Sequence, residues 1–127
     1  MKLWLDANIE AHDFISADYW KDNYNQVENM LPEAEIYVYE NEGRIEGFTG
    51  LTGDYIAGIF VRKECRSKGV GKSLLDHVKK NRSRLVLQVY KKNLRAEKFY
   101  EREGFCTVKE QMEEGTGQQE IIMEWIQ

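Results

Sequence analysis

Proline and cysteine are scarce in this chain: Pro32 is the only proline, and Cys65 and Cys106 are the only cysteines in 127 residues. Two thiols make no disulfide framework and have no metal-ligand spacing, so no metal is expected. Such cysteine usage suits a reducing compartment, and the cytoplasm is the expected location. Long apolar runs are missing too. Nothing approaches the ~20 residues that cross a bilayer, which argues against a membrane role. Residues 1–14 carry acids inside a helix-like run, unlike a secretory leader. No repeat, linker or low-complexity segment interrupts the chain. What remains is an ordinary globular composition, 42% hydrophobic and 31% charged. At this length it makes one domain, residues 1–127, around one core.

The net charge of −4 conceals an asymmetry. Residues 1–60 hold 12 acids against 3 bases, and residues 61–127 hold 10 acids against 15 bases. Scatter on a solvated surface accounts for this pattern. So does a division in which the second half meets a polyanion and the first half a cation. Clusters such as Lys79-Lys80-Asn81-Arg82 and Lys91-Lys92 raise nucleic-acid binding, but the overall acidity and the lack of a recognised motif argue against it.

Periodicity places a helix over Lys2–Ala11, with Leu3, Leu5 and Ile9 as apolar positions and Trp4 beside them. A second helix, Ala17–Met30, follows an N-cap at Ser16 and closes before Pro32. Its stripe of Tyr19, Trp20, Tyr24 and Val27 reads first as core packing, and second as the wall of an acceptor pocket together with Phe14. Glu35–Glu40, Arg44–Leu51 and Tyr55–Val61 read as three strands of a meander. Leu85–Tyr90 is a further apolar strand, expected beside Ile56–Val61 and parallel to it, since a helix connects the two. Asn93 caps the next helix, Gly104 ends it, and strands are expected over Phe105–Lys109 and Glu120–Ile126.

The chain is organised around residues 56–75, IAGIFVRKECRSKGVGKSLL. A buried strand, a basic connection with Gly69 and Gly71, and a helix start make a phosphate cradle. The first helical N–H groups lack intrahelical partners, the helix dipole favours an anion, and glycine admits close approach. Gly69-Val70-Gly71-Lys72-Ser73 echoes a nucleotide-binding P-loop, yet that motif needs glycine where this chain has Arg66.

Residues 56–105 resemble the core of the GCN5-related N-acetyltransferases, the GNAT superfamily. The resemblance rests on Ile59-Phe60-Val61, the loop Arg66-Ser67-Lys68-Gly69-Val70-Gly71, the strand Leu87-Gln88-Val89, and the series Asn93, Ala96, Phe99-Tyr100, Gly104-Phe105. Within that superfamily the chain looks most like small bacterial N-acetyltransferases, including those acting on protein amines. The resemblance implies an α/β fold with a mixed, mostly antiparallel sheet, one splayed parallel pair and helices on both faces. It implies acetyl-CoA as co-substrate and a primary amine as acceptor, on a protein lysine or N-terminus or on a small molecule. Ile59, Phe60 and Val61 would meet the pantetheine arm. Arg66, Ser67, Lys68, Gly69, Val70, Gly71, Lys72 and Ser73 would surround the pyrophosphate, and Asn93 would bond the arm. Tyr100 takes the position of the general acid that protonates the departing thiolate; the other reading is a tyrosine that packs helix on sheet.

The same resemblance exposes two departures. Gln88 stands where relatives that act on protein N-termini often carry Glu, and a neutral amide takes no proton. Either a water relays the proton to solvent or another residue serves, with Glu46, Asp54 and His12 as candidates; His12 by itself reads as a loop residue. The alternative function is an acyl-CoA-binding module that has lost turnover. In addition, relatives usually open on a strand before the first helix. Either the sequence starts inside a longer chain or the sheet lacks that strand. In the second case an open edge calls for cover, and a homodimer is the expectation.

Overall fold

The computed structural model describes residues 1–66 and 68–127; Ser67, expected in the cofactor loop, lies outside them. Helices α1 (Lys2–Ala11) and α2 (Ala17–Met30) come first, and the Ser16 hydroxyl caps α2 by accepting from the Asp18 N–H at 3.2 Å. Strands β1 (Glu35–Asn41), β2 (Arg44–Thr52) and β3 (Tyr55–Val61) form the meander. Then follow α3 (Val70–Lys79), β4 (Arg84–Tyr90), α4 (Leu94–Arg102), β5 (Cys106–Glu113) and β6 (Gln118–Ile126). One sheet takes all six strands in the order β1-β2-β3-β4-β6-β5. Every neighbouring pair is antiparallel except β3–β4. No strand precedes α1 among the described residues, and none of their helices is long and apolar enough to cross a membrane.

Alternation along β4 divides the molecule into two sides. Leu85, Leu87 and Val89 pack with Leu75 and Val78 of α3, Tyr100 of α4, and Ile121 and Met123 of β6. Tyr90 points the other way, into a second cluster built on Trp4, Ile15 and Trp20 beneath α1 and α2. A strand whose successive side chains alternate faces can serve two layers in this way. Leu75 and Leu85 have no exposed surface, and each contributes about 1.5–3 kcal/mol by its burial.

One boundary changes at the edges. In α1, Trp4, Ala7 and Asn8 are buried, and Leu5 and Ile9 pack half-buried against the same cluster. Trp4 meets Trp20 edge-on at 6.0 Å and Tyr24 at 6.4 Å, so the largest side chain sets the rotation of the helix. Strand β5 starts at Cys106, not Phe105, and runs on to Glu113. Gly104, at φ +95°, turns the chain in the left-handed region, and Phe105 drops into the core at 2% exposure. Pairing with β6 then holds β5 extended as far as Glu113 opposite Gln118.

Candidate active site

Strands β3 and β4 are partners only at Tyr55–Val86 and Ile56–Leu87, although β3 continues to Val61 and β4 to Tyr90. Past Ile56 they part. The β4-facing edge of Ala57–Val61 is left without a strand partner, and backbone polar groups on such an edge require one. Ile59, Phe60 and Val61 all lie on this half-buried stretch. The Phe60 ring curls back over Gly58, where a Cβ would stand 2.5 Å from its Cζ, and stacks on Phe48 at 5.0 Å.

Beyond the gap, Gly69 sits at φ +83° as the N-cap of α3, and no side chain caps the helix. The leading amides of α3 therefore face outward as free donors. An acyl-CoA would find here a bare strand edge for its amide arm and a helix start for its pyrophosphate, so the residues present fit that ligand. The expected basic residues are less free than their sequence suggests. The Arg66 guanidinium donates to Glu10 of α1 at 2.7 Å and to the Val61 carbonyl at 3.4 Å. Lys72 bridges Asp76 at 3.1 Å and Glu103 at 3.2 Å. Lys68 is exposed. Val70 is buried in the core, so only its backbone faces the loop, and Gly71 lies against Phe99. The Ser73 N–H already donates to the Gly69 carbonyl at 3.0 Å, which removes it as a backbone donor to a ligand.

Asn93 caps α4, its Oδ1 accepting from the Ala96 N–H at 3.2 Å. Seven residues on, about two turns, Tyr100 is 7% exposed and packs edge-on against Phe99 and Phe105. Burial alone holds its phenol well above the usual range, so it keeps its proton at neutral pH.

The opposite side of the gap is assembled from distant segments. His12 lies within ring contact of Phe14 (5.7 Å), Trp20 (5.3 Å) and Tyr90 (5.0 Å). It is no ordinary loop residue: its Nε2 is 3.2 Å from Asn93 Nδ2. Because Asn93 Oδ1 is committed to the cap, the atom facing His12 is a donor. His12 Nε2 must accept, and in the neutral ring the hydrogen rests on Nδ1. Nδ1 itself has no hydrogen-bond partner of good geometry among the described residues, and neither has Trp20 Nε1. Burial lowers the His12 pKa, with the Asn8 carbonyl pulling weakly the other way.

Further along this face, Gln88 and Tyr90 of β4 stand opposite Ile122 and Glu120 of β6. Glu120 is 6% exposed and accepts from Gln111 Nε2 at 2.6 Å. The Tyr55 hydroxyl reaches Gln88 Oε1 at 3.4 Å. Burial first, then the Glu120 charge, raises the Tyr55 pKa; burial, Glu113 and Glu120 raise that of Tyr19 despite a hydrogen bond to Tyr90. Glu113 ties up its own hairpin through the N–H groups of Gly115 (2.9 Å) and Thr116 (3.0 Å) and the Thr116 hydroxyl (2.6 Å). Burial works against its ionisation, yet these donors bring its pKa below the usual carboxylate value.

Sequence reasoning passed over Glu120, although a lone acid in the apolar run 120–123 was a visible signal. Asp54 lies in the exposed turn before β3, at the end where β3 and β4 are joined. Glu46 sits beside Cys65, whose thiol is pushed up by burial and by that carboxylate. Neither cysteine is paired, and no metal-binding group of His, Cys, Asp and Glu occurs among the described residues.

An acetyltransferase (GNAT) domain model matches residues 7–126. The chain is 34% identical over 127 residues to the peptidyl-lysine N-acetyltransferase YiaC of Escherichia coli, covering 98% of this chain and 87% of that one. The solution structure of apo YjaB from Escherichia coli superposes with a TM-score of 0.85 at 28% identity, over 98% of this chain and 86% of that one. An acetyltransferase of Bacillus anthracis solved in complex with acetyl coenzyme A gives a TM-score of 0.68 at 28% identity, over 74% of this chain and 62% of the other.

Proposed function

Because the chain belongs to the acetyltransferase (GNAT) domain family, we propose that it acetylates the side-chain amine of lysine in proteins. The reaction class itself follows from the family: an acetyl group passes from acetyl-CoA to an amine. Acetyl-CoA supplies the activated thioester. In our reading it lies along the bare edge of Ile59–Val61, with its pyrophosphate on the amides of Lys68–Lys72. The single observation that carries this is the parting of β3 from β4 after Ile56.

In this assignment, a backbone N–H near Val61 polarises the thioester carbonyl. Tyr100, approaching from the α3–α4 side, gives its proton to the departing sulfur. Because a free thiol titrates near ~8.5, the departing sulfur needs less help than an alkoxide would, which puts this step at the low end of general-acid catalysis, about 10²-fold. The amine comes from the α1–α2 side. Phe14, Trp20 and Tyr90 offer apolar walls to the methylenes of a lysine, and the acid excess of residues 1–60 draws its ammonium inward. The two peptidyl-lysine relatives, YiaC and the similarly named YjaB, support that acceptor.

The test is an acceptor panel of lysine peptides, peptides with a free N-terminus but no lysine, and small alkylamines, each incubated with acetyl-CoA and read by mass spectrometry. The reading expects acetyl-lysine as the main product, reduced about 10²-fold in Tyr100→Phe. Acetylation confined to N-termini or to free amines would overturn the lysine assignment.

A further inference from the structure

We propose that Glu120 is the general base of the reaction, taking the proton of the incoming ammonium directly or across one water. The inference rests on the amine entering from the α1–α2 side, as assigned above. A primary ammonium has no lone pair, so some group must remove a proton before nitrogen attacks. The obvious position, Gln88, holds a neutral amide that accepts a hydrogen bond from Tyr55 and cannot take a proton.

The neighbouring candidates are eliminated one at a time by their partners. His12 has its Nε2 lone pair occupied by Asn93 and its hydrogen on Nδ1, so the neutral ring offers no free lone pair. Glu113 receives three hydrogen bonds from its own hairpin and a longer one from Tyr90 at 3.4 Å, and donors of that number favour the charged form over proton uptake. Asp54 lies at the closed end of the β3–β4 pair and Glu46 beside Cys65.

Glu120 has the required placement. It is directly across from Tyr90, on the face that carries Gln88 and opposite the face that carries Tyr100. Carboxylates are rarely buried to this degree without full pairing. Glu120 is 6% exposed, yet only Oε1 is anchored, by Gln111. Oε2 has no hydrogen-bond partner among the described residues and is not sealed from solvent, since the sealed, unpartnered side-chain atoms there are His12 Nδ1 and Trp20 Nε1. One oxygen fixed and one open is the arrangement of a positioned proton acceptor rather than of a structural ion pair. Behind burial in each case, the Glu120 charge helps to raise the pKa of Tyr55 and of Tyr19.

The step balances. The ammonium gives one proton to a Glu120 oxygen, and the freed nitrogen forms its bond to the acetyl carbon. The carbon–sulfur bond breaks, with its electron pair leaving on sulfur, which takes a proton from Tyr100. The second proton on nitrogen returns to the Tyr100 oxygen through water, and Glu120 releases its proton to solvent. The sum is ammonium plus thioester giving amide, thiol and one proton.

The decisive experiment compares wild type, Glu120→Gln and Glu120→Asp between pH 6.5 and 10, with a lysine peptide and with n-butylamine as acceptors. Glutamine keeps the size and the pairing with Gln111. The expected loss in kcat/KM at pH 7.5 is about 100-fold or more. The deficit should shrink toward pH 10, because the amine, titrating near ~10.4, then supplies its own free base. Glu120→Asp should recover part of the rate, and the acetyl-CoA-induced rise in Tm should match wild type in both variants. A deficit that stays constant across pH, or a loss below threefold, would overturn the proposal. Wild-type turnover of butylamine without the peptide defeats the lysine reading alone, and Glu120 then stands or falls on the butylamine profile. Turnover of neither acceptor defeats both.

Discussion

The two sides of the sheet were made by different means. The proposed cofactor side, from β3 through α4, is one contiguous stretch that offers backbone groups: a strand edge, a glycine cap, the first turn of a helix. The proposed acceptor side joins His12 to Asn93, Tyr19 to the β5–β6 hairpin near Gly115, and Tyr90 to Glu120. Backbone chemistry is written locally and tolerates few residue types, so it leaves a recognisable spacing. Side-chain chemistry gathered across ~80 residues leaves none.

The sharpest contrast should come from Tyr100→Phe, which acts on the cofactor side. It should lower kcat about 10²-fold, or ~2.7 kcal/mol in barrier, with the Kd for acetyl-CoA unchanged by calorimetry. A weakened Kd at unchanged kcat would mean that Tyr100 packs rather than reacts. Asn93 is the residue that touches both sides. Asn93→Ala should cost about 1 kcal/mol of stability through the lost cap, measured by urea unfolding, and should also free the His12 ring. If the two sides are independent, acceptor KM will not change in this variant; if Asn93 couples them, it will rise.

A smaller effect of opposite sign is expected from Glu10→Gln. It releases Arg66 from a partly exposed ion pair, and acetyl-CoA should bind a few-fold more tightly at a cost below about 1 kcal/mol in stability. The smallest effect is a pH dependence. The pKa of His12 is lowered in the fold, so the unfolded chain binds the extra proton first. Stability from this group is present above ~6.5 and is lost as pH falls below it. In His12→Gln, the decline in Tm between pH 7 and pH 5.5 should be shallower than in wild type.

The same contrast explains what could be read before the fold was known. The Gly69 turn, the Asn93 cap and the helix that follows were legible because each depends on neighbours within a few residues. The splaying of β3 from β4 was implied by family resemblance, and neither strand's residues announce it. Trp20 was legible as core and is core, but its shared contact with His12 depends on how α1, α2 and β4 meet. Arg66 and Lys72 read as cations of the pyrophosphate loop, and only the fold brings Glu10 and Glu103 to them. The register that sets Glu120 opposite Tyr90 arises from β6 inserting between β4 and β5, a topology that neither strand specifies alone.

Amide hydrogen exchange with and without acetyl-CoA would show whether the ligand occupies the gap between β3 and β4 and leaves the acceptor side open. Slowed exchange is expected in peptides covering residues 57–72 and 93–100, with exchange in α2 and the β5–β6 hairpin little changed. Protection confined to α2 and the hairpin, or no protection anywhere at saturating acetyl-CoA, would contradict that placement of the ligand.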